Sequence, residues 1–434
     1  MTPQIIGALG ILALVTMTFM RVPLGAAMGL VGLIGYAAVD GWDKAFIVFG
    51  STPYTLTHYS FSVLPLFILM GSVATRSGMS QELFVAANAI FAGKRGALPM
   101  ATIGACAGFA AISGSSLATA ATFTQIAVPE MRRHGYDERL ATGSVAAGGT
   151  LGILIPPSVI MVIYALAAEE SVPALFAAGM IPGIILTLLF VLVIWVIARV
   201  RPEWAPAGPM MPWRERIAAA AAMWKLLLLF SLAVGGIYTG WFSPTEAAGV
   251  ASFAAIVIAT SMGRLSFQDF VDCLMETLRT TGMLMFIIAG AWIFAYFVVQ
   301  TKLPTALVDL VQWLDLPGWA VILMILVFYI ILGCVLDSVA IILVTVPVFL
   351  PVVMSFGYDT VWYGILMVVV VEVGLITPPV GLNIFVIQAQ LPDVALGTVF
   401  KGIMPFLAAN AILIALLLIF PQIALWLPGL LFSQ

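Results

Sequence analysis

The chain has 434 residues, 63% hydrophobic and 9% charged, with a formal net charge of −3 and a mean hydropathy of +1.16. A soluble domain carries roughly 25% charged residues to keep its surface wet, so most of this surface must meet lipid. No basic cluster is dense enough for nucleic acid, and the longest polar stretch, 199–216, has no room for a soluble catalytic or ATP-hydrolysing domain.

Apolar stretches recur along the whole length, which predicts an all-α polytopic membrane protein of about ten to twelve spans, each of about 20 residues. Ile5–Phe19 lacks a basic leading region and further spans follow at once. It therefore reads as a retained helix, not a signal peptide. With Leu24–Ala38 it belongs to N-terminal scaffold helices over 1–60.

A first unit is expected over 61–198. Its segment 97–131 holds an apolar run, then Ser113-Gly114-Ser115-Ser116, then a second apolar run ending near Pro129. Lys94 and Arg95 flank one end and Arg132, Arg133 and Arg139 the other. Basic flanks stay in the cytoplasm, so both ends lie on one side and the segment is a re-entrant hairpin with a polar tip at mid-membrane. A broken helix follows over about 138–168, interrupted at Pro156-Pro157. Two prolines remove backbone donors, freeing carbonyls before the break and N–H groups after it. Free carbonyls suit a hard cation, and free N–H groups with the helix dipole suit an anion. Residues 199–216 form a cytoplasmic linker.

The second unit, 217–434, repeats the first. Gly135-Tyr136-Asp137 recurs as Gly357-Tyr358-Asp359, an offset of 222 that also carries Ser116 onto Ser338, Pro129 onto Pro351, Gly152 onto Gly374 and Pro156-Pro157 onto Pro378-Pro379. Its hairpin is expected over 318–354, with a tip near Gly333–Ser338, and its broken helix over about 360–390. The positions matching the basic flanks are Leu316, Pro317, Met354, Ser355 and Val361, none basic. The second hairpin therefore opens to the opposite face, which makes the pair an inverted-topology repeat of the kind used by secondary transporters.

Two carboxylates fall within apolar segments, Asp337 at the second tip and Glu372 six residues before Pro378. Each is either a cation or proton site or a structural hydrogen-bonding group. Glu169, Glu170, Asp272 and Glu276 read as solvated or interfacial charges, and Trp213, Trp224 and Trp241 as interface anchors. Cys106, Cys273 and Cys334 read as small packing residues, and His58 and His134 have no transition-metal spacing. An intramembrane enzyme with Ser115 or Ser116 as nucleophile lacks a base nearby. A channel would close a ring of identical loops, whereas these hairpins differ.

Ser113–Ala120, Gly152–Ser158, Gly374–Gly381 and the run Pro65–Gly71 resemble the large membrane subunit of TRAP (tripartite ATP-independent periplasmic) transporters, and matches extend over most of the chain. Ile153 and Leu154 depart from the pattern, where many relatives have other residues, often a proline. The resemblance implies a multi-pass inner-membrane permease of elevator architecture, not an enzyme. It implies sodium-driven uptake of small carboxylates such as C4-dicarboxylates, with a four-helix small membrane subunit and a periplasmic solute-binding protein as partners. No cofactor beyond the coupling sodium is implied. Carried over by motif, one sodium site uses Ser113, Ser116, Gly152, Ile155 and Pro157, and the other Gly333, Gly374, Thr377 and Val380. Ser115, Thr119, Thr150, Ser158, Asp337 and Asn383 are candidates for contacting solute. A self-sufficient organic-anion carrier or antiporter of the wider ion-transporter superfamily is the alternative.

Overall fold

The computed structural model describes residues 2–208, 210–334, 336–379 and 381–432. The first part of the chain forms α1 (Pro3–Phe19), α2 (Leu24–Asp40), α3 (Trp42–Leu56), α4 (Val63–Arg76), α5 (Met79–Phe91), α6 (Ala97–Ser113), α7 (Ser116–Arg133), α8 (Glu138–Leu154), α9 (Val159–Ala168) and α10 (Val172–Val200). Beyond the linker come α11 (Trp213–Ala222), α12 (Trp224–Phe230), a π-helical turn at Ser231–Gly235, α13 (Gly236–Tyr238), α14 (Pro244–Ser261), α15 (Phe267–Gln300) and α16 (Leu303–Trp313). The last six are α17 (Gly318–Gly333), α18 (Ser338–Ser355), α19 (Thr360–Ile376), α20 (Leu382–Gln390), α21 (Leu396–Ile419) and α22 (Gln422–Phe432).

Among the described residues, seven helical stretches are long and apolar enough to cross a membrane, or eight if α8 and α9, bent by 43° at their break, form one span. The expected ten to twelve is larger because α1, α2, α6, α17, α19 and α22 are apolar but only 10–17 residues long. Seventeen residues rise about 25 Å, short of a hydrocarbon core of about 30 Å.

Local chemistry sets the helix ends. Gly114 stands at φ 59°, a left-handed conformation open to a residue without Cβ, and it ends α6. Ser115 then caps α7, its Oγ accepting the Ala118 N–H at 3.3 Å. Asp337 does the same for α18, accepting the Val339 N–H at 3.2 Å. Asp137 caps α8 through Arg139 N–H at 2.8 Å, and Asp359 caps α19 through Trp362 N–H at 2.9 Å. Each of these two pairs of caps is related by the 222-residue offset, so the repeat preserves the signals that start helices.

Two backbone-to-backbone contacts hold the packing together. On one side α2 lies on α15: a Cβ on Gly25 would stand 2.6 Å from Phe286 O, and one on Gly290 would run into Gly25 O. On the other, α8 lies on α21, where a Cβ on Gly143 would stand 2.5 Å from Gly402 O. Small residues let helices approach this closely where lipid gives no hydrophobic drive to associate. Cys106 is free and buried, with Gly148 leaving room for its Sγ, so it packs as a small hydrophobe; Cys273 and Cys334 are also free and buried.

The linker lies across the base of the α6–α7 hairpin. Gly96 N–H donates to Pro206 O at 3.2 Å, Gly208 N–H to Lys94 O at 3.0 Å, and Asp137 N–H to Trp204 O at 3.2 Å. Arg139 and Arg201 stand over the Trp204 ring at 5.0 and 4.4 Å. At the far end of α9, Tyr164 Oη donates to Thr360 O at 2.6 Å and Thr360 donates to Glu170. Thus α8 starts beside the linker, while α19 starts beside the end of α9.

Candidate functional site

Each hairpin tip is seated on a helix break. In the first unit a Cβ on Gly114 would lie 2.9 Å from Pro157 O, and one on Gly152 would lie 2.6 Å from Ser115 O and 2.9 Å from Thr119 Oγ1. Ser113 and Thr119 share a hydrogen bond at 3.0 Å across the tip, and Thr119 Oγ1 donates to Ser115 O at 2.7 Å. In the second unit Gly333 and Gly374 meet backbone to backbone, a Cβ on Gly374 falling 2.5 Å from Gly333 Cα. Cys334 Sγ donates to Pro378 O at 3.5 Å.

The structure thus brings Ser113, Ser116, Gly152 and Pro157 into one neighbourhood, with Ile155 in the same break but its side chain against Gly183 of α10, and Gly333, Gly374 and Thr377 into another. Val380 lies outside the described residues. The two neighbourhoods join: Asn383, on α20 of the second unit, donates from Nδ2 to Ser116 Oγ at 2.6 Å. The site glycines let backbone close on backbone, which gathers hydroxyl and carbonyl oxygens at each break. That donor set fits a hard monovalent cation.

Both tips open on one cavity of about 630 Å³. Ser113, Ser115 and Ser116 reach it from the first tip and Asp337 and Ser338 from the second. Of the remaining solute candidates, Thr119, Thr150, Ser158 and Asn383 are buried behind that surface. Thr150 turns to its own helix, donating to Ala147 O at 2.7 Å, and Ser158 caps α9 by accepting the Met161 N–H at 3.3 Å.

Sequence reasoning missed the opposite wall, made by Gly71, Ser72, Thr75 and Arg76 of α4 with Glu276 and Thr280 of α15. Glu276 has the exposure expected of a solvated charge and also lines this cavity. It is the tenth residue of a continuous 34-residue helix, and it accepts a hydrogen bond from Ser72 Oγ at 2.7 Å. Arg76 pairs with Asp272 at 3.2 Å and Asp269 at 3.7 Å. The four-residue spacing of Glu276 and Thr280 was the available signal, since it puts both on one helix face.

A helical membrane chain with two tip-on-break units around one cavity is built as a permease. Its fold resembles that of the YdaH transporter of Alcanivorax borkumensis, with a TM-score of 0.68 at 17% identity over 99% of this chain and all of that one. In sequence it matches "Tripartite ATP-independent periplasmic transporter, DctM component" over residues 11–423, and it belongs to that family. It is 41% identical over 377 residues to the C4-dicarboxylate TRAP transporter large permease protein DctM of Pseudomonas aeruginosa, covering 86% of this chain and 87% of that protein. It is 30% identical over 416 residues to the sialic acid TRAP transporter permease protein SiaT of Haemophilus influenzae, covering 95% of this chain and 67% of the relative. The chain is therefore a TRAP large permease subunit, a multi-pass protein of the bacterial inner membrane and a transport component, not an enzyme.

Proposed function

We propose that this chain drives sodium-coupled uptake of a small carboxylate-bearing solute, with C4-dicarboxylates as the leading class, by an elevator movement of its hairpins and broken helices. The observation that carries this reading is the seating of both polar tips on helix breaks around one shared cavity. Ser113, Ser116, Gly152, Ile155 and Pro157 hold one sodium ion in this reading, and Gly333, Gly374, Thr377 and Val380 a second. Bound sodium supplies positive charge that offsets the cost of bringing an anion to mid-membrane. Ser115 at the start of α7 and Ser338 at the start of α18 offer hydroxyls and free helix N–H groups to the solute carboxylate. An inverted repeat provides for alternating access, and the α8 start against the linker with the α19 start against α9 supports that reading.

The dicarboxylate and sialic acid relatives support carboxylate cargo. The partners proposed are a four-helix small membrane subunit and a periplasmic binding protein that delivers the solute. Proteoliposomes holding this chain, the small subunit and the loaded binding protein should take up solute under an inward sodium gradient. Uptake that ignores sodium and follows a proton gradient would overturn the coupling, and robust uptake by the chain alone would overturn the tripartite dependence.

A further inference from the structure

Glu372 lies on α19 and is 2% exposed, yet among the described residues neither carboxylate oxygen has a hydrogen-bond partner in good geometry. Its polar neighbours are the Ser116 and Ser338 hydroxyls, with the Asp337 carboxylate also close. Ser116 and Ser338 open α7 and α18 and are related by the 222-residue offset. The same offset relates Glu372 to Thr150, whose hydroxyl is taken up by Ala147 O. The carboxylate is therefore a one-sided addition to a paired arrangement. Asn383 reaches the same place from α20: it is fully buried, its Nδ2 donates to Ser116 Oγ, and its Oδ1 has no partner.

Acceptors outnumber donors here. The two Glu372 oxygens and Asn383 Oδ1 have no hydrogen-bond partner in good geometry among the described residues, with the Ser116 and Ser338 hydroxyls as the donors beside Glu372. A proton on Glu372 turns one oxygen into a donor and leaves the other acceptors to compete for it. A single cation satisfies carboxylate, amide and hydroxyl oxygens together, and these are the ligands that hard cations take. Asp337 caps α18 through the Val339 N–H and lines the open cavity, so Glu372 is the carboxylate that balances the ion, and a divalent ion would leave a net charge buried in apolar surroundings. We infer that Glu372, Asn383 Oδ1 and the Ser338 hydroxyl hold a monovalent cation of sodium's size, at a position that adjoins the first hairpin-on-break site at Ser116 and is additional to both such sites. This rests on the proposed sodium coupling and adds an ion to it.

Equilibrium binding of radiolabelled sodium to the purified full chain counts the sites. Glu372→Gln, which keeps the side-chain shape, should bind one sodium fewer per chain and should lessen the steepness of sodium-dependent uptake in the reconstituted system. Ser338→Ala belongs to neither proposed sodium set, and it should keep the count while weakening one class of site several-fold. A Glu372→Gln chain that melts normally without sodium and still binds as many ions with the same affinities overturns the inference. So does an unchanged binding curve for Ser338→Ala, whether or not Glu372→Gln folds. Sodium binding absent from the unaltered chain would instead overturn the proposed coupling itself.

Discussion

Ser72 of α4 donates a 2.7 Å hydrogen bond to Glu276 of α15, across the cavity wall that faces both hairpin tips. The bond ties together two helices whose sequence positions are far apart, and it sets the Glu276 carboxylate on the cavity wall that the proposed anionic solute would face. Ser72→Ala should leave that charge without its partner and lower stability by about 1 kcal/mol, read as a fall in melting temperature in detergent. Glu276→Gln keeps an acceptor for Ser72 and removes the charge. It should lower the solute concentration for half-maximal uptake, and an increase would show that the carboxylate helps hold the cargo.

Gly152→Ala tests the first hairpin-on-break contact. The new methyl would stand 2.6 Å from Ser115 O, and both sides of that contact are backbone or short side chain. The half-saturating sodium concentration should rise by about tenfold or more, equivalent to at least about 1.4 kcal/mol. Gly29→Ala is the control, because its nearest neighbour is Gly290 Cα at 3.8 Å and uptake should be unchanged.

Thr377→Val tests the second contact. Thr377 Oγ1 donates to Val373 O at 2.5 Å, so valine removes a hydroxyl while keeping the branched shape at the helix break. Half-maximal uptake should need more sodium, with the solute affinity of the separate binding protein untouched. A Thr377→Val system with wild-type sodium dependence would remove this residue from the site.

Membrane sidedness is open to a direct check. In a chain with Cys106, Cys273 and Cys334 replaced by alanine, single cysteines at Arg95 and Arg132 should react with an impermeant reagent only from the cytoplasmic side. Those at Leu316 and Ser355 should react only from the periplasmic side. Equal labelling of both sets from one face would sink the inverted arrangement.

Much of the helical plan was legible because the chain punctuates itself with Gly, Ser and Pro. The end of α6 at Ser113 and the start of α7 at Ser116 bracket a Gly-containing polar run, and α8 stops before Pro156. The number of spans was not legible, since apolar character alone does not distinguish a 17-residue arm from a full crossing. Ser116 and Asn383 were each singled out, but their hydrogen bond joins residues 267 apart, beyond any local pattern. Glu276 is exposed, as expected of a solvated charge, and only the position of α4 shows that it also lines the cavity.

The contact between Gly143 and Gly402 also has a consequence for how the protein is made. Helix α8 is complete at Leu154, while α21 begins only at Leu396. At about 5–20 residues per second, a ribosome needs roughly ten seconds or more to deliver the second after the first. Throughout that interval the bare backbone groove around Gly143 must be kept by lipid or by an insertion factor, because its own partner does not yet exist. Chains released between these two points are therefore the ones that membrane quality control should find most readily.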